Sequence, residues 1–126
     1  MKEVDIYVDC WPPFRGKHGV HQGRLGIFCK AVRREAKEAR KPWYNYQAGK
    51  TAMPIVHVTA TLHEDDKMQA LNDLHYYEEA VRRAIADAHI VDEPEQVASV
   101  DIEAMKSEPQ LARGCTLKIV FEERDE

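Results

Sequence analysis

Strand-like and helix-like stretches follow one another in the order β-α-β-α-β-β. This predicts an α+β domain with a mixed sheet and two helices. Three observations carry that expectation. Short runs of alternating apolar residues recur along the chain, two longer runs repeat apolar residues at three- and four-residue spacing, and proline or glycine stands at the joints. The length of 126 residues suits one domain, 1–126, burying roughly two-thirds of the unfolded surface.

Taken in order, Val4, Ile6 and Val8 alternate within residues 4–9 as a first strand, which Trp11-Pro12-Pro13 ends because proline cannot donate to a sheet ladder. Residues 14–24 place Gly16, Gly19 and Gly23 among basic residues and read as a flexible loop, with His18 and His21 as its polar residues. A helix is expected from Leu25 to Arg40. Leu25, Phe28, Cys29, Val32, Ala36 and Ala39 make its apolar stripe, and Pro42 stops it. Trp43, Tyr44 and Tyr46 then fall in a loop with Lys41 and Lys50. Such a mixture suits stacking on bases, and equally suits packing of the helix end or a dimer interface.

Met53-Pro54 opens a second strand in which Val56, Val58, Ala60 and Leu62 alternate, with His57 on the other face, and an acidic loop follows at 63–67. The second helix is expected over Asp73–Ala88, with Leu74, Tyr77, Val81, Ala84, Ile85 and Ala88 on its buried stripe and Asn72 or Asp73 as N-cap. Asp92-Glu93-Pro94-Glu95 is a turn. Two strands finish the chain, marked by Val100, Ile102 and Ala104 and by Leu117, Ile119 and Phe121. They are expected to be antiparallel neighbours joined by a hairpin connection over residues 107–114.

Composition narrows the function classes. No apolar run approaches the roughly 20 residues of a membrane span, and the start of the chain is too acidic for a signal peptide, so a cytoplasmic protein is expected. Cys10, Cys29 and Cys115 are odd in number and widely spaced, which argues against a disulfide framework or structural zinc and for three reduced, mostly buried thiols. The net charge is −4, but its distribution is uneven. Residues 15–50 hold ten basic and two acidic residues (+8), and the rest holds eight basic and twenty acidic (−12). A basic segment on an acidic chain fits a polyanion-binding protein, and also fits a solvated helix face.

Asp73 and Asp92 flank the second helix. If the flanking segments fold back, carboxylates so placed are candidates to share a divalent metal, with Asp66 within reach of the same ion. The plain alternative for Asp73 is a helix cap.

The order of these motifs resembles the RusA family of Holliday junction resolvases. The resemblance covers nearly the whole length: the N-terminal strand running into Trp11-Pro12-Pro13, a Gly- and Arg-rich loop, a basic helix, Met53-Pro54 with its strand, then Asp73-Leu74-His75-Tyr76-Tyr77 in the place of the family's Asp-Leu-Asp-Asn-Leu. Ile90-Val91-Asp92-Glu93 falls where the family has an apolar pair and two aspartates, and Gln96-Val97 and Lys106 match its tail. By this resemblance the three metal-binding aspartates fall on Asp73, His75 and Asp92. The following asparagine falls on Tyr76, a basic helix residue on Glu79, and an arginine-rich loop on Glu64-Asp65-Asp66.

What the resemblance implies is a homodimeric endonuclease that cuts branched DNA in recombination and repair, with Mg²⁺ or Mn²⁺ held by Asp73, His75 and Asp92 and supplemented by Glu93. Imidazole at His75 favours Mn²⁺ or another transition metal, or acts as general base. Lys106 would contact the scissile phosphate, or is simply an exposed strand-end lysine. Arg15, Lys17 and Arg24 in the loop and Lys30, Arg33, Arg34 and Lys37 on the helix would hold the DNA backbone. Two further readings stand beside the enzyme. One is a RusA-like module that has lost its metal site and binds DNA or protein. The other is an unrelated α+β protein whose acidic helix ends are caps and solvated charge.

Overall fold

In the computed structural model, residues 2–47 and 55–122 are described, with their side chains over 3–39 and 55–122. The elements are β1 (Lys2–Val8), β2 (Arg15–Gly16), β3 (Gly19–Val20), α1 (Gln22–Gln47), β4 (Val56–Glu64), α2 (Glu78–Asp87), β5 (Val97–Lys106) and β6 (Cys115–Phe121). Short 3-10 turns precede α2 (Leu74–Tyr77) and β5 (Pro94–Gln96). The described residues give the expected α+β arrangement: a four-stranded mixed sheet in the order β1-β6-β4-β5, with α1 packed over β1, α2 over β5, and the helices against each other.

The sheet owes its shape to alternation. Val4, Ile6 and Val8 on β1, Val56, Val58, Ala60 and Leu62 on β4, and Leu117, Ile119 and Phe121 on β6 all point under the helices and are buried. They meet Phe28 and Val32 of α1 and Val81 and Ile85 of α2, each fully buried. A large apolar side chain in this position contributes about 1.5–3 kcal/mol. The other sheet face has no helix over it among the described residues. It carries the alternate, polar set: Glu3, Asp5, Thr59, Thr61, Asp101 and Glu103.

The topology departs from sequence expectation at one place. β5 and β6 are not neighbours. β4 lies between them, parallel to β5 and antiparallel to β6. The segment 107–114 is therefore no hairpin but a bridge across the end of β4. Ser107 N–H donates to the Glu64 carbonyl (3.1 Å) on one flank, and on the other Arg113 N–H donates to the His63 carbonyl (2.8 Å) and His63 N–H to the Gly114 carbonyl (2.9 Å). Hairpins favour loops of two to five residues, whereas stepping over a strand spans two interstrand spacings, about 9.5 Å, and needs a longer connection.

Smaller differences have local causes. Residues 15–20 form a two-stranded ribbon rather than a loop, with Lys17-His18 at its tip and Gly19 at φ +94°, a conformation glycine adopts without strain. His21 caps α1: its Nδ1 accepts the Arg24 N–H (3.2 Å) and its carbonyl accepts that of Leu25 (2.9 Å), so the helix starts at Gln22. The α1 backbone continues through Pro42 to Gln47. A proline removes one helical hydrogen bond and bends the axis without having to end it. The segment with Trp43, Tyr44 and Tyr46 is thus helical, while the side chains of those residues, and all of Lys50, Met53 and Pro54, lie outside the described residues. Cys29 and Cys115 are buried, Cys10 is half-buried, and all three are free thiols.

Candidate functional site

α2 is entered through a 3-10 turn, and this decides what Asp73 can do. Its backbone (φ −91°, ψ 77°) lies outside the extended region from which an N-cap side chain reaches back over the first turn. The Asp73 carbonyl accepts the Tyr76 N–H (3.2 Å), but its carboxylate makes no capping bond and stands exposed. The expected side-chain cap is not formed. His75, two residues on, is exposed, with its ring 4.0 Å from that of Tyr76.

Asp92 and Glu93 lie beyond the other end of α2, where the chain turns into β5. Both carboxylates are exposed, and the Gln96 side-chain oxygen accepts the N–H groups of Asp92 (3.0 Å) and Glu93 (2.7 Å). Lys106 closes β5 with Nζ 3.6 Å from Asp66, an exposed pair that solvent screens.

The two turns border one hollow of about 640 Å³, with His75 and Tyr76 on one side and Pro94 and Glu95 on the other. Asp73 and Asp92 are not among its lining residues. Of the three acidic groups that line it, Glu79 is matched by Arg83 (2.7 Å) and Arg15 (3.4 Å) and Glu78 by Arg82 (3.4 Å), while Glu95 is exposed. Glu78/Arg82 and Glu79/Arg83 are i,i+4 pairs, a spacing legible in the sequence that its reading passed over. Among the described residues no three His, Cys, Asp or Glu side chains are grouped to hold a metal ion. Asp73, His75, Asp92 and Glu93 do not form a group of three among the described residues. Asp73 precedes residues 74–87 and Asp92 follows them, and the fold-back at 92–96 brings Pro94 and Glu95, rather than Asp92, to the hollow.

The basic residues divide into two groups. Arg33 donates to Asp87 from Nη2 (2.6 Å) and Nε (3.1 Å), tying α1 to α2, and this hydrogen bond raises the guanidinium pKa. Arg34 lies 3.4 Å from Glu35 and 3.7 Å from Asp9, and Arg15 is on Glu79. Lys17, Arg24, Lys30 and Lys37 are exposed and have no ion-pair partner among the described residues. Lys30, Arg34 and Lys37 follow at i, i+4 and i+7 and share the outer face of α1. This face looks away from the sheet, whose uncovered side carries Glu3, Asp5, Asp101 and Glu103.

One polar centre was not anticipated. His63 is the one charged or polar residue among the buried side chains described. Its Nδ1 meets Ser107 Oγ and its Nε2 meets Thr116 Oγ1, both at 2.7 Å, and its carbonyl accepts the Trp11 Nε1–H (3.2 Å). Burial lowers its pKa and favours neutral imidazole. The sequence places it at the start of the acidic loop 63–67, with nothing to mark distant hydroxyls as its partners, whereas β4 in fact runs on through Glu64.

No protein-family model matches the chain, and no curated protein matches it. Among the described residues no helix is long and apolar enough to cross a membrane.

Proposed function

We propose that this chain is a DNA-binding module with a RusA-like fold, a cytoplasmic protein that grips branched DNA through the outer face of α1 without cutting it. The observation that supports the reading is the separation of charge. Lys30 and Lys37, with Arg34 between them, form a basic ridge beside exposed Glu38, Arg24 and Lys17 add exposed charge near the start of α1, and four acidic groups, Glu3, Asp5, Asp101 and Glu103, lie on the far side of the sheet, where Lys118 pairs with Glu3. Such a surface attracts a phosphate backbone even on a chain of net charge −4. A four-way junction has two-fold symmetry, so two copies related by a two-fold axis would engage it symmetrically. Metal-dependent cleavage is the second reading. What favours it is that the turn bearing His75 and the turn that follows Glu93 border the same hollow.

The test is a salt titration of binding to a synthetic four-way junction. Four unpaired cations give an expected slope of log K against log salt of roughly −3 to −4 per protomer, at about 0.9 per phosphate neutralised. The double variant Lys30→Glu/Lys37→Glu should lose about two units of that slope and bind at least ~100-fold more weakly at low salt. A slope unchanged by the double substitution removes α1 from the interface.

A further inference from the structure

A second concavity lies apart from the hollow beside His75. Segment 9–14, the first turns of α1 and residues 68–71 enclose a groove of about 620 Å³. Its floor is aromatic and fixed: the Trp11 indole is held by the His63 carbonyl, and Trp11 and Phe14 meet Tyr77 edge-on at 86° and 76°. Its lips are aliphatic. Ile27 is 65% exposed and Leu71 52% exposed, both on the lining of the groove. A preformed apolar concavity of this size lies within the range of ligand sites, about 300–1,000 Å³.

The rim carries unequal charge. Arg24 has no ion-pair partner among the described residues. Arg113 uses only Nε, on Asp65 at 2.9 Å, leaving its terminal nitrogens open. The carboxylate on the lining, Asp9, is turned toward Arg34 at 3.7 Å. An apolar slot between two guanidinium groups calls for a ligand that is apolar in the middle and anionic beside it.

We infer that this groove binds a short acidic peptide segment of a partner protein, with one or two apolar side chains inserted between Ile27 and Leu71 and flanking carboxylates on Arg24 and Arg113. A nucleobase fits less well. Stacking needs an open ring face, and here the rings interlock edge to face beneath aliphatic lips. The site is separate from the ridge of Lys30 and Lys37, which it borders at Arg24.

The test is fluorescence anisotropy with a labelled ten-residue peptide of aspartates interrupted by two phenylalanines, using the full chain. The expected result is saturable binding that weakens with salt and falls at least ~tenfold in Ile27→Asn and in Leu71→Asn. Both positions are exposed, so the variants should keep the parent circular dichroism spectrum and junction affinity, which separates failure of this inference from failure of DNA binding. Absence of binding, equal binding of a peptide with lysines in place of the aspartates, unchanged affinity in both variants, or capture of a single-stranded thymidine decamer in the peptide's stead would each overturn it.

Discussion

Gly114 and His63 show how single residues hold the bridge over β4. A Cβ at Gly114 would overlap the Tyr7 hydroxyl, which itself donates to the Leu111 carbonyl at 3.0 Å. Gly114→Ala should therefore destabilise the protein by about 1–3 kcal/mol, read from the urea midpoint. His63 adds a pH dependence. Its folded pKa is lowered below the ordinary value of 6.5, so below that pH the unfolded chain binds the extra proton first. The stability it contributes is complete above about pH 6.5 and is lost as pH falls toward the folded pKa. Urea midpoints should drop between pH 7 and 5, with a shallower slope in His63→Gln. An identical slope in the variant would show that other groups govern the acid limb. Neither feature was legible in the sequence, because each depends on partners far away along the chain, such as Ser107 and Thr116 for His63 and Tyr7 for Gly114. By contrast, the apolar stripe Leu25, Phe28, Cys29, Val32 and Ala36 was legible, since its spacing is local and all five are buried.

Helix ends illustrate the same division. α2 closes with a left-handed residue, His89 at φ 60°. The N–H of His89 donates to the Ala86 carbonyl (3.0 Å) and that of Ile90 to Ile85 (3.2 Å), while buried Ile90 anchors the turn. A non-glycine residue in this conformation is strained, so His89→Gly should stabilise the fold by about 1 kcal/mol in thermal or urea unfolding. The opposite result would mean that the His89 side chain contributes more than its backbone costs. The start of α2 was misread because a capping aspartate and an aspartate before a 3-10 turn look alike in sequence. Only the backbone angles separate them. Strand identity was legible from alternation, whereas strand adjacency was not. The pairing of β5 with β4 and β6 with both β4 and β1 rests on long-range competition for the centre of the sheet.

For the molecule as a whole, part of the uneven charge of the sequence becomes spatial: Lys30, Arg34 and Lys37 share the outer face of α1, and Glu3, Asp5, Asp101 and Glu103 lie on the uncovered sheet face together with Lys118. Composition made the first part legible. Which cations are engaged internally, as Arg33 and Arg15 are, needed the tertiary structure. The proposed metal ligands mark the limit of the resemblance. As a set they were expected from the resemblance alone, and among the described residues no three such side chains are grouped. Binding without cutting is the central proposal, and one assay tests it: incubation of a four-way junction with the protein in Mg²⁺ and in Mn²⁺, scored for both retention and strand nicks, with Asp73→Asn in parallel. The expected result is salt-sensitive retention with no nicks in either metal, and the same retention by the variant. Paired nicks by the parent that vanish in Asp73→Asn would contradict it and establish the chain as a metal-dependent junction endonuclease.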